Sequence, residues 1–173
     1  MPDPDLGDSL VKPMSGQSYA NIVVALDGSP VAEQVLPCLA ALAERFGSTL
    51  ILVRAFLPVE SPAAMVPPAV GGVPLDPTQV EDTIEFEDQE AMTYLERVAT
   101  ALRLRGLVAR TECPQDLAAD AIVEVARRTN ADLIALTTHG RGGLSRLVHG
   151  SVAESVLRAA RCPVLLVRAT NAR

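Results

Sequence analysis

The segment 138–155 reads THGRGGLSRLVHGSVAES and contains residue types that suit the binding of an anion. Its four glycines, Gly140, Gly142, Gly143 and Gly150, lack a β-carbon, so their backbone can approach a ligand closely. Gly150 and Ser151 stand at the start of a predicted helix, where free N–H groups and the helix dipole favour negative charge. The segment therefore suits a phosphate group, although a flexible connection to a helix would have similar composition.

The alternative interpretation of this helix start is an ordinary cap. Ser151 and Glu154 form the pattern S-x-x-E, which is the sequence signature of a capping box. In that arrangement the Ser151 hydroxyl accepts from the N–H of Glu154, and the Glu154 side chain reaches back. The residues alone leave both interpretations open.

A second polar loop, Asp27-Gly28-Ser29, follows the first predicted strand. The dinucleotide fingerprint GxGxxG is absent from this turn, which reads DGSP, and the P-loop pattern GxxxxGK[ST] is absent from the chain. Lys12 is the only lysine and lies in a polar N-terminal stretch, which excludes a P-loop or Schiff-base lysine in the core. The usual phosphate-binding loops are therefore not present.

Strands and helices alternate along the chain. Ser29 is a candidate N-cap with Pro30 at the first helical position, Asp116 is a candidate cap of the third helix, and Gly47 and Gly106 are natural helix ends. Apolar runs predict strands, and 3.6-residue periodicity predicts helices. The strands are predicted over 21–26, 48–56, 107–113, 132–137 and 163–168, and the helices over 31–46, 80–105, 116–130 and 151–160.

This alternation predicts one doubly wound α/β domain of the Rossmann-like kind, with a five-stranded parallel sheet and helices on both faces. In such sheets, ligands bind beyond the carboxyl ends of the strands, where the winding direction reverses. If the strand order is 3-2-1-4-5, the loop at Asp27 and the loop that begins at Thr137 face each other. We expect the domain over 20–169, a flexible tail over 1–19, and an inserted proline-rich loop or lid over 57–79.

The composition limits the partners. The formal net charge is -6 and no stripe of arginine and lysine exists, which argues against nucleic acid. No long apolar stretch is free of charged and helix-breaking residues, which argues against a membrane partner, and the acidic N-terminus lacks a signal peptide, which predicts a cytoplasmic location. Cys38, Cys113 and Cys162 form no CxxC pattern and are expected to be buried, inert thiols.

The two loops together resemble those of the universal stress protein family. Its ATP-binding members carry G-x2-G-x9-G-[ST] after the fourth strand; here Thr137 occupies the first glycine position, Gly140 the second, and Gly150-Ser151 close the motif. The strings VALDGSP, THGRGG, GSVAESVLR and CPVLLV are also typical of the family, and the resemblance covers about residues 20–168. It implies the strand order 3-2-1-4-5, which is the fold of the adenine nucleotide alpha hydrolase-like proteins.

The resemblance also implies a ligand and a partner. It implies binding of ATP (or ADP or AMP), allows a magnesium or manganese ion beside the phosphates, and implies a homodimer that forms through the C-terminal edge strand 163–168. The aspartate after the first strand contacts the nucleotide, the end of the second strand meets adenine, and the glycine-rich loop holds the phosphates. The implied nucleotide-binding residues are Ala25, Leu26, Asp27, Ala55, Thr137, His139, Gly140, Arg141, Gly143, Gly150, Ser151 and Val152.

Three functions fit the sequence. The favoured one is a nucleotide-binding regulatory protein of the stress response with at most slow ATP hydrolysis. The alternatives are a nucleotide-free dimeric module that binds proteins and a metal-dependent ATP hydrolase. Catalytic residues are not identified, because the sequence contains no recognisable Ser/His/Asp set and a loop histidine such as His139 more often donates to backbone. Arg54-Ala55 stands where the family usually has His-Val at the end of the second strand.

Overall fold

The computed structural model describes residues 19–56, 77–138 and 150–170, and within 77–87 it describes the backbone alone. All but the last residue of the predicted tail, most of the proline-rich loop, and the segment that contains His139, Gly140, Arg141 and Gly143 lie outside these residues. The described elements, in chain order, are β1 (Asn21–Ala25), a 3-10 helix (Ala32–Val35), α1 (Leu36–Phe46), β2 (Thr49–Val53), α2 (Pro77–Leu104), β3 (Val108–Glu112), α3 (Ala118–Arg128), β4 (Leu133–Thr138), α4 (Ser151–Ala159) and β5 (Val164–Arg168).

The five strands form one parallel sheet in the order β3-β2-β1-β4-β5. β1 lies at the centre and pairs with β2 on one side, with Asn21 opposite Thr49, and with β4 on the other, with Ile22 opposite Leu133. The chain therefore winds outward from β1 first in one direction and then in the other. This arrangement confirms the predicted doubly wound fold and places the reversal between β1 and β4.

The core lies on both faces of the sheet. On one face, α1 and α2 cover side chains such as Ile22, Leu50 and Leu52, all fully buried. On the other face, α3 and α4 cover Val23 and Ile134, which are also fully buried. Since successive strand residues point to opposite faces, a strand buried on both must be apolar throughout, which is why β1 and β2 read as unbroken apolar runs.

The connection from β1 to α1 contains a tighter first turn than predicted. The N-cap position is Val31, not Ser29 as predicted, although Ser29 Oγ accepts a hydrogen bond from the N–H of Ala32 at 3.1 Å. The following residues, Ala32–Val35, then form a 3-10 helix before the α-helix begins at Leu36. At the other end of α1, Gly47 adopts the left-handed conformation (φ 68°) and ends the helix as expected.

Two other helix boundaries differ from the predictions. α2 begins at Pro77, within the range assigned to the proline-rich loop, because proline is acceptable in a first helical turn. The Asp116 carboxylate accepts from the N–H of Leu117 at 2.7 Å, whereas Leu117 itself occupies the N-cap position of α3 without a side-chain cap. The prediction that Asp116 caps α3 is therefore wrong.

The three cysteines are all free. Cys38 is exposed on α1, which corrects the expectation that it is buried, whereas Cys113 and Cys162 are partly buried. In the described part of the chain, no helix combines the length and the apolar character that crossing a membrane requires.

Candidate functional site

A cavity of about 230 Å³ opens at the carboxyl ends of β1, β2 and β4. The N-terminal turns of α3 and α4 complete its walls. It lies beside the reversal between β1 and β4, the two strands whose following helices, α1 and α4, cover opposite faces of the sheet. Eight of the residues implied by the family resemblance line it: Ala25, Leu26, Asp27, Ala55, Thr137, Gly150, Ser151 and Val152.

The sequence did not identify the apolar part of this cavity. Val53, Ile122 and Leu136 are almost fully buried and line it together with small residues. The signal that could have indicated them is position, because Val53 and Leu136 lie at carboxyl ends of strands and Ile122 lies one turn inside α3. The lining residues that were missed are Ala32, Val53, Ala118, Ile122, Leu136, Thr138 and Ala153.

The turn after β1 brings an exposed carboxylate to the cavity. Asp27 Oδ1 accepts a hydrogen bond from the N–H of Ser29 at 2.8 Å, which closes a short turn around Gly28. Gly28 has a φ of 87°, a backbone conformation that costs glycine little and other residues considerably more. The turn thus depends on glycine at this position and presents the Asp27 carboxylate beyond the carboxyl end of β1.

Three side-chain contacts hold the 3-10 helix that follows this turn. Thr137 Oγ1 donates to the carbonyl oxygen of Ala32 at 3.1 Å, joining β4 to the helix across the cavity rim. Glu33 pairs with Arg97 of α2 at 2.7 Å. The Gln34 side chain accepts from the N–H of Thr170, just beyond β5, at 2.8 Å. The segment that carries Asp27 is therefore tied to β4, to α2 and to the C-terminal end of the sheet.

The start of α4 resolves the capping question for this structure. Gly150, not Ser151, occupies the N-cap position (φ −50°, ψ 155°), and no side-chain cap hydrogen bond is present there. The N–H of Glu154 bonds to the Gly150 carbonyl oxygen at 3.0 Å, while the Glu154 carboxylate pairs with Arg158 one turn further along. The capping box between Ser151 and Glu154 is therefore not formed, since each partner is one position out of register.

This start leaves backbone donors available at the cavity. The first N–H groups of any α-helix have no partner within the helix, and those of Ser151, Val152 and Ala153 belong to residues that line the cavity. The amide groups and the dipole of α4 together favour an anion at this point. The chemical character of the cavity is therefore apolar on one side, with a carboxylate and a helix N-terminus at its rim.

Two partly buried polar side chains, Tyr94 of α2 and Cys113 just beyond β3, pack against the core on the face that α1 and α2 cover. Burial raises the pKa of Tyr94 to about 12, and the negative charge of Glu33 adds to that rise. Burial likewise raises the pKa of the Cys113 thiol to about 11, with Asp88 contributing. Both groups are therefore neutral near pH 7, and the Cys113 thiol is a weak nucleophile.

Metal ligands are few in the part of the chain that the structure describes. Within it, no group of three or more histidine, cysteine, aspartate or glutamate side chains is arranged to hold a metal ion. Asp27 is the carboxylate that lines the cavity. A site built by protein side chains alone is therefore not seen among these residues.

Comparisons with known proteins agree with this architecture. The model of the universal stress protein family matches residues 18–168. A universal stress protein of Methanocaldococcus jannaschii is 33% identical over 150 residues, which are 87% of this chain and 82% of the relative. Universal stress protein UspA from Lactobacillus plantarum has the same fold, with a TM-score of 0.67 at 19% identity, over 87% of this chain and 98% of that one.

A solved structure with higher identity carries a ligand. The universal stress protein from Archaeoglobus fulgidus, in complex with dAMP, is 27% identical with a TM-score of 0.57, and the match covers 86% of this chain and 98% of that chain. The family model matches most of the chain. The order of the strands and the sequence identity to the archaeal relatives support the same assignment. On these grounds, the chain belongs to the universal stress protein family.

Proposed function

We propose that this protein binds an adenine nucleotide in the cavity at the carboxyl ends of β1, β2 and β4, and that ATP is its ligand, with ADP or AMP as related occupants. The observation that carries the proposal is the combination of three features in one cavity. These are an apolar wall, the exposed Asp27 carboxylate and the N-terminus of α4 without a side-chain cap. Base, sugar and phosphate each find a chemically matched surface there.

The apolar wall suits the base. Val53, Ile122 and Leu136 offer buried hydrocarbon against which a flat ring can pack, and the backbone near Ala55 is at hand for hydrogen bonds. Small side chains such as Ala25 and Ala118 keep this part of the cavity open. An adenine placed here would bury one face against this apolar wall.

The polar rim suits the sugar and the phosphates. A carboxylate is an acceptor only, so Asp27 would take hydrogen bonds from donor groups on the nucleoside. The N–H groups of Ser151 and Val152 and the Ser151 hydroxyl are donors suited to phosphate oxygens. The implied contacts of His139, Gly140, Arg141 and Gly143 belong to the same proposal and come from the family motif.

A divalent cation is compatible with this donor set. Magnesium commonly retains several waters and takes one or two carboxylates together with phosphate oxygens, rather than a complete cage of protein ligands. Asp27 would supply the carboxylate, and magnesium or manganese would neutralise charge on the phosphates. The ion is proposed only together with the nucleotide.

Support for the ligand class comes from the solved relative in complex with dAMP, which is 27% identical over most of both chains.

We further propose a regulatory role in the stress response, with hydrolysis slow at most, and a homodimer formed through β5. The outer edge of β5 is unpaired in the described chain, and its apolar residues, Val164, Leu165, Leu166 and Val167, are all only partly buried.

The proposal is tested by identifying what the purified protein carries and binds. Mass spectrometry of the small molecules released on denaturation should detect AMP, ADP or ATP, and calorimetry should detect binding of ATP to nucleotide-free protein. Replacing Asp27 with alanine should weaken ATP binding by at least about tenfold, the usual effect of losing a charged hydrogen-bond partner. Glu44→Ala, on the exposed surface of α1, serves as the control and should bind ATP normally.

Two results would contradict parts of the proposal. An absence of binding by all three nucleotides at millimolar concentration, with and without magnesium, would refute the nucleotide site. Rapid, metal-dependent release of ADP would instead support the ATP hydrolase alternative and refute a purely regulatory role.

A further inference from the structure

Arg54 lies immediately after β2, between two residues that line the cavity, Val53 and Ala55. Because consecutive residues of an extended chain point to opposite sides, the Arg54 side chain leaves the cavity side and turns toward α2. It reaches Gly28, in the turn that carries Asp27, from outside the cavity. Its place in the site is therefore indirect.

The contact with Gly28 is made by the flat face of the guanidinium. A β-carbon on Gly28 would lie 3.2 Å from Cζ, 3.3 Å from Nη1 and 3.5 Å from Nη2 of Arg54. These three nearly equal distances mean that the plane of the group covers the glycine and occupies the space that a side chain there would need. Gly28 thus serves the turn twice, through its positive φ and through the room that it leaves for Arg54.

Arg54 is itself held on its other side by α2. Its Cζ lies 5.4 Å from the centroid of the Tyr94 ring, a cation–π distance, and its Nη2 lies 3.7 Å from Glu90 Oε1. The side chain is only 22% exposed. Arg97 also approaches the Tyr94 ring, at 5.2 Å, and pairs with Glu33 of the 3-10 helix, so the same ring supports both ends of the segment 28–33.

We propose that Arg54 is a positioning residue of the nucleotide site, which acts on the ligand through Asp27; the inference rests on the proposed function. The guanidinium fills the gap between Tyr94 and Gly28 and holds the 27–29 turn against the sheet. This turn fixes the Asp27 carboxylate, whose Oδ1 is already engaged by the N–H of Ser29. A lysine would retain the charge but not the flat surface, so it would leave the turn unsupported.

The test compares ATP binding by the full-length wild type, Arg54→Lys, Asp27→Asn and the double variant, each prepared free of nucleotide. We expect Arg54→Lys to weaken ATP binding by about tenfold, because the variant loses one cation–π contact of the guanidinium. If Arg54 acts through Asp27, the double variant should bind no more weakly than Asp27→Asn alone. Arg105→Lys alters an exposed ion pair with Glu44 far from the turn and should leave binding unchanged.

The affinity of the double variant, compared with those of the two single variants, distinguishes a positioning role of Arg54 from direct contact with the ligand. Losses that add in the double variant would overturn the inference, because they would mean that Arg54 and Asp27 act independently, as in direct contact of Arg54 with a phosphate. Wild-type affinity in Arg54→Lys would also overturn it while leaving the nucleotide site intact. A wild type that binds no nucleotide would instead refute the proposed function.

Variants of Tyr94 provide a second measurement if Arg54→Lys folds poorly. Tyr94→Phe preserves the ring and should bind ATP as the wild type does. Tyr94→Leu removes the ring and should reproduce the loss expected for Arg54→Lys. Equal affinity of the Phe and Leu variants would show that the ring does not support Arg54 and would overturn the inference.

Discussion

Thr137 has a structural role that its position in the family motif does not indicate. It stands where the motif has its first glycine, and its side chain lines the cavity. Its hydroxyl donates to the carbonyl oxygen of Ala32, so the side chain is held at the cavity rim rather than free to turn. Threonine at this position therefore adds a hydrogen bond, which glycine could not form, between β4 and the 3-10 helix.

Replacing Thr137 with valine should destabilise the protein. The substitution retains the shape of the side chain but removes the hydroxyl donor, and a lost hydrogen bond of this kind costs about 1 kcal/mol. Thr137→Ser, which keeps the hydroxyl, is the matched control and should retain most of that hydrogen bond. Urea denaturation gives the free energies of unfolding, and a valine variant at least as stable as the serine variant would contradict the assignment.

At the scale of the element, the N-terminus of α4 combines a glycine cap with uncommitted amide groups. Gly150 provides no capping side chain, and among the described residues other than its chain neighbours no atom lies within 4 Å of where its β-carbon would be. Its φ of −50° is open to any residue. A helix start that lacks a side-chain cap is less stable than it could be, but it keeps its N–H groups available to an anion.

Gly150→Asp should therefore separate stability from binding. An aspartate at the N-cap accepts from the first-turn amides and interacts favourably with the helix dipole, so stability should rise by about 0.3–1 kcal/mol. The same carboxylate would compete with phosphate for the amides and repel it, so ATP affinity should fall by at least about tenfold.

Gly150→Asn is the matched control for that prediction. It caps the helix without a charge, so it should stabilise similarly but weaken ATP binding less than aspartate does. Thermal unfolding and calorimetry measure the two effects. Unchanged ATP affinity in Gly150→Asp would show that the N-terminus of α4 does not face the phosphates.

At the scale of the whole molecule, the two edges of the sheet are β3 and β5. Ile134 donates to the Pro163 carbonyl oxygen, and Ala169 donates to that of Thr138, which sets the hydrogen-bond pattern of β5 with β4. Because this pattern repeats every two residues, the N–H groups of 165 and 167 point toward β4 and that of Leu166 points to the free edge. The backbone of β5 is thus arranged to pair with a further strand.

Leu166→Pro should convert the proposed dimer to a monomer. Proline removes an N–H that faces outward and leaves the ladder with β4 in place, which edge strands tolerate. Leu166→Ala makes a comparable reduction of the side chain but retains the N–H, so it should remain dimeric. Sedimentation at micromolar concentration measures the association, and circular dichroism verifies folding. A wild type that sediments as a monomer would refute the dimer.

The alternation of strands and helices, with polar loops after two of the strands, predicted the doubly wound sheet because local patterns reflect periodic burial on both faces. The family resemblance likewise indicated eight residues that line the cavity, and they meet there because parallel strands bring their carboxyl ends to one edge. The apolar wall escaped prediction, because Val53, Ile122 and Leu136 resemble any other core residues in the sequence.

What the sequence determined by itself was therefore the fold class, the family, and which strand ends and helix start line the cavity. The tertiary structure alone decided which contacts the side chains around the cavity make. Gly150 rather than Ser151 occupies the N-cap position, Thr137 donates to a carbonyl 105 residues away, and the Arg54 guanidinium covers Gly28. The physical reason is that capping and periodicity are local, whereas these contacts depend on which distant groups the packed sheet and helices bring within bonding distance.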